Sequence, residues 1–248
     1  MTRDLLLIGI GTGNPDHVTR AGIRAMRAAD LILIPRKGAD KADLADLRHQ
    51  ICAAALEGAD TRIAEFDLPV RDASGEYRAG VDDWHDAIAR AWSEAIDRHG
   101  AGARTVALLI WGDPSLYDSS LRIAARLPGL NVRVVPGITA LQALTAAHAI
   151  AINEIGAPFT VTTGRRLRDT GWPPGVDTVA VMLDGACAFQ SLDPDGIDIW
   201  WGAYLGMAEE LLVSGPLADR SAEILSIREE ARANHGWIMD IYLLRRRG

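Results

Sequence analysis

Three short turns in the sequence combine glycine with polar side chains, and each follows an apolar run. They lie at residues 9–14 (Gly-Ile-Gly-Thr-Gly-Asn), at 111–117, which contains Gly112-Asp113-Pro114, and at 136–140 (Pro-Gly-Ile-Thr-Ala). Glycine turns bring backbone close to a ligand, and the third turn supplies N–H groups and a hydroxyl at a helix start. One carboxylate, a few backbone donors and apolar walls favour a neutral or cationic nucleoside over a pyrophosphate.

The first turn departs from the two common phosphate-binding patterns. The dinucleotide fingerprint needs glycine at its first, third and sixth positions, but here Gly9 and Gly11 are followed by Asn14 at the sixth. A P-loop is excluded because no Gly-Lys-Ser/Thr closes the turn. An NADP-dependent oxidoreductase stays open as an alternative, because Arg36 and Lys37 follow the second apolar run, where a 2′-phosphate would bind.

Alternating strand and helix patterns predict an α/β protein with two domains. We predict a mainly parallel sheet in domain 1–115, a mixed sheet in domain 116–248, and a cofactor cleft between them. The predicted strands are 5–10, 31–34, 61–66, 105–110, 131–135, 159–163, 178–183, 197–201 and 237–244, and the predicted helices are 15–29, 40–56, 81–99, 116–127, 138–150 and 221–233. Ligands of open α/β sheets bind at the carboxyl ends of strands, where the three turns fall.

Composition and charge narrow the class of protein. The chain has 248 residues, a net charge of −7, 48% hydrophobic and 24% charged residues, which is ordinary for a globular protein. No apolar run reaches the ~18 residues of a membrane span, and the first residues lack a signal-peptide layout, so we expect a cytoplasmic protein without a membrane partner. The acidic balance disfavours nucleic acid. Cys52 and Cys187 stand far apart, which indicates neither a disulfide nor a clustered metal site.

Taken together, in this order and at these separations, the three turns resemble the tetrapyrrole methylases, the class III methyltransferases that use S-adenosylmethionine (SAM). The resemblance runs through 6–33, Gly112-Asp113-Pro114 with Tyr117, 135–150 and Met182, and so covers most of the chain. Three unbroken runs, 84–92, 111–119 and 200–206, are similar to the member that methylates carbon 1 of precorrin-5 and releases its acetyl group as acetate, giving precorrin-6A. The resemblance implies that activity and a homodimer. Another tetrapyrrole methylase of the corrin pathway is the alternative.

The resemblance also implies which residues contact SAM. In chain order they are Thr12, Trp111, Gly112, Asp113, Leu116, Thr139, Ala140, Met182 and Leu205. Thr139 and Ala140 are expected at the amino-acid end, and Met182 and Leu205 near the adenine. Asp113 is expected to accept a hydrogen bond from the ribose or the amino group, because it is a carboxylate at a strand end.

The two implied chemical events place different demands on the protein. Methyl transfer needs mainly alignment, whereas deacetylation needs a general base that activates water near neutral pH. The candidate bases are His85, Asp67, Tyr117 and Asp118. His85 also fits a boundary histidine on a helix, and Tyr117 also fits core packing. A related uroporphyrinogen methylase is thought to use an Asp after its second strand and a Lys after its third. Pro35 and about 66–67 stand there in this chain, so those roles do not carry over.

Arginines are expected around a substrate with many carboxylates, because their paired donors match a carboxylate. Arg165 and Arg166 follow the predicted strand 159–163, and Arg36 and Lys37 follow the second strand. A solvated surface explains each pair equally well. Two further functions also stay open: a methyltransferase for RNA or protein, and a binding module for SAM or tetrapyrrole without catalysis.

Overall fold

The computed structural model describes residues 2–36, 42–69 and 77–247. The chain divides into two compact units, Met1–Thr139 and Ala140–Gly248. The sequence predicted a boundary after residue 115, but strand β5 (Leu130–Val135) pairs with β1 (Arg3–Gly9) and completes the first sheet. The boundary therefore falls within the third glycine turn, after Thr139, and all of the second turn lies in the first unit.

The first unit contains a parallel sheet with helices on both faces. Its remaining strands are β2 (Leu31–Arg36), β3 (Arg62–Asp67) and β4 (Thr105–Ile110), and its helices are α1 (Arg20–Ala28), α2 (Ala42–Ala55), α3 (Tyr77–His99) and α4 (Ser120–Ala124). The described strands are ordered β3-β2-β4-β1-β5. Alternate side chains of β1 point to opposite faces: Leu5 and Leu7 join a core with α3, and Leu6 and Ile8 join a core with α1 and α2. The predicted parallel sheet is confirmed.

Strand β2 leaves its neighbour β4 before either strand ends. The two strands pair from Leu31 opposite Val106 to Leu33 opposite Leu108. Beyond this point β2 continues beside β3, as far as Arg36 opposite Asp67. A gap therefore opens between β2 and β4 towards their carboxyl ends, beside Leu109.

The second unit contains the predicted mixed sheet. Its strands are β6 (Phe159–Thr163), β7 (Thr178–Met182), β8 (Ile197–Ala203), β9 (Leu211–Pro216) and β10 (Asp240–Arg246), and its helices are α5 (Ala140–Ala147), α6 (Gly164–Thr170) and α7 (Leu217–His235). The described strands are ordered β6-β7-β10-β8-β9, with β6 and β7 parallel and the other pairs antiparallel. Trp201, Tyr242 and Phe189 fill the core and are almost completely buried.

Several element boundaries differ from the prediction for local physical reasons. The predicted helix at 15–29 is interrupted, because Thr19 caps α1 by accepting the Gly22 N–H at 2.9 Å. The predicted helix at 116–127 shrinks to α4, because Tyr117 has a φ of +48°, which a right-handed helix excludes. In the described part of the chain, no helix combines the length and apolar character needed to cross a membrane.

Candidate active site

The carboxyl ends of β1, β4 and β5 meet backbone to backbone at three glycines. A Cβ atom at Gly9 would lie 2.6 Å from the Gly137 nitrogen and 2.7 Å from the Gly112 carbonyl oxygen. A Cβ atom at Gly137 would overlap that same carbonyl oxygen. Side chains at Gly9 or Gly137 would therefore push the turns apart, which explains why glycine stands at both positions.

The first and second turns are also joined by a short antiparallel bridge. The Gly112 N–H donates to the Gly11 carbonyl at 2.8 Å, and the Gly11 N–H donates to the Gly112 carbonyl at 3.3 Å. Both residues are in the left-handed region, with φ of +77° and +65°. Glycine adopts this conformation without the strain that a side chain adds.

Asp113 joins the second turn to the third. Its buried carboxylate accepts hydrogen bonds from the Gly137 N–H at 2.8 Å, and from the Ser115 N–H and hydroxyl at 2.8 and 2.5 Å. Burial alone would raise the pKa of this carboxyl, but the three hydrogen bonds outweigh it and hold the pKa below its usual value. Asp113 is therefore ionised at neutral pH and positions two turns. Its contact with SAM stays a prediction.

Polar side chains fix the first turn to its surroundings. The buried Thr12 hydroxyl lies 3.2 Å from His17 Nδ1. Thr19, the cap of α1, also donates to the Pro136 carbonyl of the third turn at 3.5 Å. The Thr19 side chain therefore links the start of α1 to the third turn.

Five more of the predicted SAM contacts can be placed on this framework. Within the first unit, Trp111 is half-buried against the core of α1 and α2, and the Leu116 N–H donates to the Asp113 carbonyl at 3.3 Å. In the second unit, Ala140, Met182 and Leu205 belong to one apolar cluster with Leu144 and other residues of α5, β7 and β10. Two of these five residues therefore lie in the first unit and three in the second.

Strained turns flank two of the contacts predicted in the second unit. Leu183, which follows Met182, has a φ of +53° and a 66% exposed side chain. Tyr204, which precedes Leu205, has a φ of +51°. Non-glycine residues in this region cost energy, and such conformations concentrate at ligand-binding turns.

The four candidate bases have different surroundings. His85 on α3 is 4% exposed, and its Nδ1 atom lacks a hydrogen-bond partner among the described residues. Burial, with a contribution from Arg126, lowers the pKa of His85, so the imidazole is neutral at neutral pH. Asp67 ends β3 and is exposed, Tyr117 is 43% exposed, and Asp118 accepts the Ser120 N–H at 2.6 Å at the start of α4. The choice among them stays a prediction.

Of the two cations predicted after β2, Arg36 lies within the described residues. Arg36 Nη1 lies 3.0 Å from Glu65 Oε2, and His49 Nε2 lies 2.7 Å from Glu65 Oε1. The Arg36 charge therefore already has a carboxylate beside it. Lys37 lies outside the described residues.

The cations predicted after β6 begin a short helix that the sequence did not predict. Arg165 and Arg166 are exposed on the first turn of α6, where Thr163 caps the helix by accepting the Arg166 N–H at 3.3 Å. Their side chains are accessible to a large ligand, and their contact with substrate stays a prediction.

Comparison with known proteins identifies the family. The family model for Tetrapyrrole (Corrin/Porphyrin) Methylases matches residues 4–220. This chain is a tetrapyrrole methylase. A protein of Sinorhizobium sp. named precorrin-6A synthase (deacetylating) is 46% identical over 250 residues, which cover 98% of this chain and 95% of that protein. A precorrin-2 C(20)-methyltransferase of Sinorhizobium sp. is 31% identical over 66% of this chain and 69% of its own length.

Solved structures agree with this assignment. A cobalamin-synthesis-related protein (CobF) from Corynebacterium diphtheriae has a TM-score of 0.84 and 37% identity, with both chains covered completely. A uroporphyrin-III C-methyltransferase from Thermus thermophilus in complex with S-adenosylhomocysteine has a TM-score of 0.58 and 18% identity, covering 98% of this chain and 92% of that one. At this identity the second likeness shows the tetrapyrrole methylase fold alone.

Sequence reasoning missed one arginine of this tetrapyrrole methylase near the second turn. Arg48 on α2 donates from Nε to the Leu109 carbonyl at 3.1 Å and from Nη1 to the Leu44 carbonyl at 3.0 Å. Loss of hydration lowers the pKa of Arg48 to about 10, so the guanidinium stays charged at neutral pH. The sequence carried a signal for it: Arg48 lies three residues after Ala45 and four before Cys52, on the buried stripe of the helix.

A buried network that anchors the turn after β7 was also missed. Asp184 accepts hydrogen bonds from the Tyr242 hydroxyl and the Ala188 N–H, both at 2.6 Å. Arg228 donates to the Asp184 carbonyl at 3.0 Å, and burial together with Asp184 raises the pKa of Tyr242. A Cβ atom at Gly164 would overlap the Asp184 carboxylate. Tyr242 and Arg228 are too far from Asp184 in sequence to be recognised from spacing.

Proposed function

We propose that this tetrapyrrole methylase transfers a methyl group from SAM to carbon 1 of precorrin-5, and removes the acetyl group of that carbon as acetate to give precorrin-6A. The observation that carries the proposal is the similarity, over nearly the whole chain, to the Sinorhizobium protein named for this reaction. The three interlocked turns at the carboxyl edge of the first sheet support it, because they form a preorganised backbone site.

The chemistry of the first unit fits SAM better than a nicotinamide cofactor. SAM supplies a methyl group that its sulfonium has already activated. The ionised Asp113 adds a negative charge at the edge of the sheet, which favours a cationic nucleoside and disfavours a pyrophosphate. Arg36, the candidate for a 2′-phosphate, is paired with Glu65. Both observations weigh against the NADP-dependent oxidoreductase.

The roles of the chain follow from the two events. For methyl transfer, the rigid turns align the nucleoside with the ring carbon, since positioning supplies most of the gain. For deacetylation, a base takes a proton from water, the water oxygen bonds to the acetyl carbonyl carbon, and the bond from that carbon to the ring breaks. The electron pair stays on the ring carbon and acetate leaves. We propose that the base is one of four residues, His85, Asp67, Tyr117 and Asp118. Replacing the residue that acts as the base should abolish acetate release while SAM affinity is kept.

The decisive experiment incubates the purified protein with precorrin-5 and SAM that carries a labelled methyl group. One acetate released for each methyl transferred, with precorrin-6A as product, supports the proposal. Methyl transfer without acetate favours another tetrapyrrole methylase of the corrin pathway. Tight binding of SAM or tetrapyrrole without turnover favours a binding module, and binding of NADPH alone favours the oxidoreductase.

We also propose a homodimer in the cytoplasm, with neither nucleic acid nor membrane as partner. The expectation of a homodimer comes from the resemblance to the tetrapyrrole methylases. Sedimentation velocity at micromolar concentration tests the dimer, and a monomer would contradict it. Cell fractionation tests the location.

A further inference from the structure

Arg48 occupies the gap between β2 and β4. Beyond Leu108, β2 no longer pairs with β4, and the Leu109 carbonyl accepts from Arg48 Nε instead of from a strand. The second bond, from Nη1 to the Leu44 carbonyl, holds the guanidinium along its own helix. The side chain is half-buried and its direction is fixed from two sides.

Within the described ranges 2–36, 42–69 and 77–247, the charge of Arg48 has no carboxylate in direct contact. Among the residues that the structure describes, no carboxylate lies within 4.0 Å of its guanidinium. In contrast, Arg36 contacts one carboxylate and Arg126 contacts two. Asp118 stabilises the charged form of Arg48 from a greater distance, and one oxygen of that carboxylate accepts the Ser120 N–H. A guanidinium has five donors, and among the described residues Arg48 makes two such bonds, both to carbonyl oxygens. Removing a cation from water is costly unless an anion compensates it.

The position of Arg48 indicates which anion would compensate its charge. Leu109 is the last residue but one of β4, and the second glycine turn begins directly after that strand. SAM carries a carboxylate of its own, but its amino-acid end is predicted at Thr139, after β5. Strands β4 and β5 are separated by β1, which places them about 10 Å apart. Arg48 instead contacts the Leu109 carbonyl of β4, and the neighbour of β4 on the side away from β1 and β5 is β2.

We propose that Arg48 binds a carboxylate of the tetrapyrrole substrate at the carboxyl edge of the first sheet. This inference rests on the proposed function, in which the substrate carries many carboxylates. A guanidinium fixed by two carbonyls is preorganised to bind such a group with paired donors, and the desolvated surroundings strengthen the bond. Arg48 is thus a substrate-binding residue, and it also ties α2 to β4.

The test compares Arg48→Met and Arg48→Lys with the control Arg90→Met, which removes an exposed arginine of α3. Arg48→Met should raise the KM for precorrin-5 about 10- to 100-fold, the loss expected for a charge-assisted hydrogen bond, with kcat changed less than about threefold. Arg48→Lys should recover part of the loss, because the charge is kept but the paired donors are not. Affinity for S-adenosylhomocysteine should stay within about twofold of wild type, and the control should keep the wild-type KM.

Three results would overturn the inference. If a folded Arg48 variant has the wild-type KM, Arg48 keeps only a structural role, its hydrogen bond to Leu109. Loss of that bond lowers the melting temperature without affecting substrate binding. Weaker binding of S-adenosylhomocysteine with an unchanged KM would assign Arg48 to the carboxylate of SAM. If the variants do not fold, phenylglyoxal labelling of the wild-type protein decides: precorrin-5 should protect Arg48 but not Arg90, and equal labelling with and without precorrin-5 refutes the proposal. Acetate release by the wild type tests the proposed reaction separately.

Discussion

Replacing Asp113 by asparagine tests whether this carboxylate holds the second and third turns together. Asparagine has nearly the same shape but only one side-chain oxygen. If that oxygen stays with Ser115, the amide NH₂ faces the Gly137 N–H, and a buried donor loses its acceptor. A hydrogen bond to a charged group contributes about 1.5–3 kcal/mol, and an unsatisfied buried donor costs about 1–3 kcal/mol. We therefore expect the free energy of unfolding to fall by about 2–4 kcal/mol, and the affinity for S-adenosylhomocysteine to fall about tenfold or more.

The pH dependence follows from the depressed pKa of Asp113. Its value in the folded protein lies below the ordinary 3.8, so the stabilisation is fully present above that value and is lost as the pH falls through the folded pKa. The difference in stability between wild type and Asp113→Asn should thus be constant from pH 8 to about 5 and shrink below about 4. A difference that grows on acidification would contradict this reasoning.

Urea unfolding at several pH values measures the loss, and hydrogen exchange of the Gly137 amide reports on the bond itself. The matched control is Ser115→Ala, which removes only the hydroxyl bond at an exposed position and should cost about 1 kcal/mol or less. Faster exchange of Gly137 is expected in Asp113→Asn but not in the control. Wild-type stability at pH 7 together with wild-type exchange at Gly137 would refute the positioning role.

Three further predictions concern other parts of the chain. Gly164→Ala should lower the free energy of unfolding by about 1–3 kcal/mol, because the added methyl overlaps the Asp184 carboxylate. The control Gly185→Ala meets nothing within 4 Å and should be nearly neutral. Equal melting temperatures of the two variants in thermal unfolding would contradict this. Arg165→Ala should raise the KM for the tetrapyrrole with little change in SAM affinity, and an unaltered KM would remove Arg165 from the substrate site. Burial raises the pKa of Cys52 to about 11, so at pH 8 iodoacetamide should modify this thiol only after denaturation. Peptide mass spectrometry measures the modification, and rapid labelling of the native protein would count against the prediction.

Apolar runs made most of the fold predictable, and weak patterns account for what was missed. Continuous apolar segments such as β4 and β7 are buried on both faces and stand out in the sequence. Strand β9 has mostly exposed or half-buried residues at the edge of its sheet, and α6 has seven residues with four of them charged, so neither gave a clear signal. The helix predicted at 116–127 was too long because nothing in the sequence reveals the left-handed backbone of Tyr117.

The candidate site was predictable in outline but not in its contacts. The rule that ligands bind at the carboxyl ends of parallel strands placed three turns at one edge, and the structure of the first unit brings Gly9, Gly112 and Gly137 together there. The bond from Gly137 to Asp113 joins residues 24 positions apart, and no local pattern encodes it. Arg48 was not predicted, although its spacing from Ala45 and Cys52 places it on the buried stripe of α2.

The placement of β10 has a consequence for how the protein is made. This strand lies between β7 and β8, yet it is synthesised after every other strand of its sheet. Until residues 240–246 have left the ribosome, β7 and β8 have no common neighbour, and the edges that pair with β10 lack their partner. The first unit, in contrast, has all its strands once residue 135 has emerged, so it can fold during translation while the second must wait. Any truncation that removes β10 should therefore yield a chain whose second half aggregates or is degraded while its first half survives.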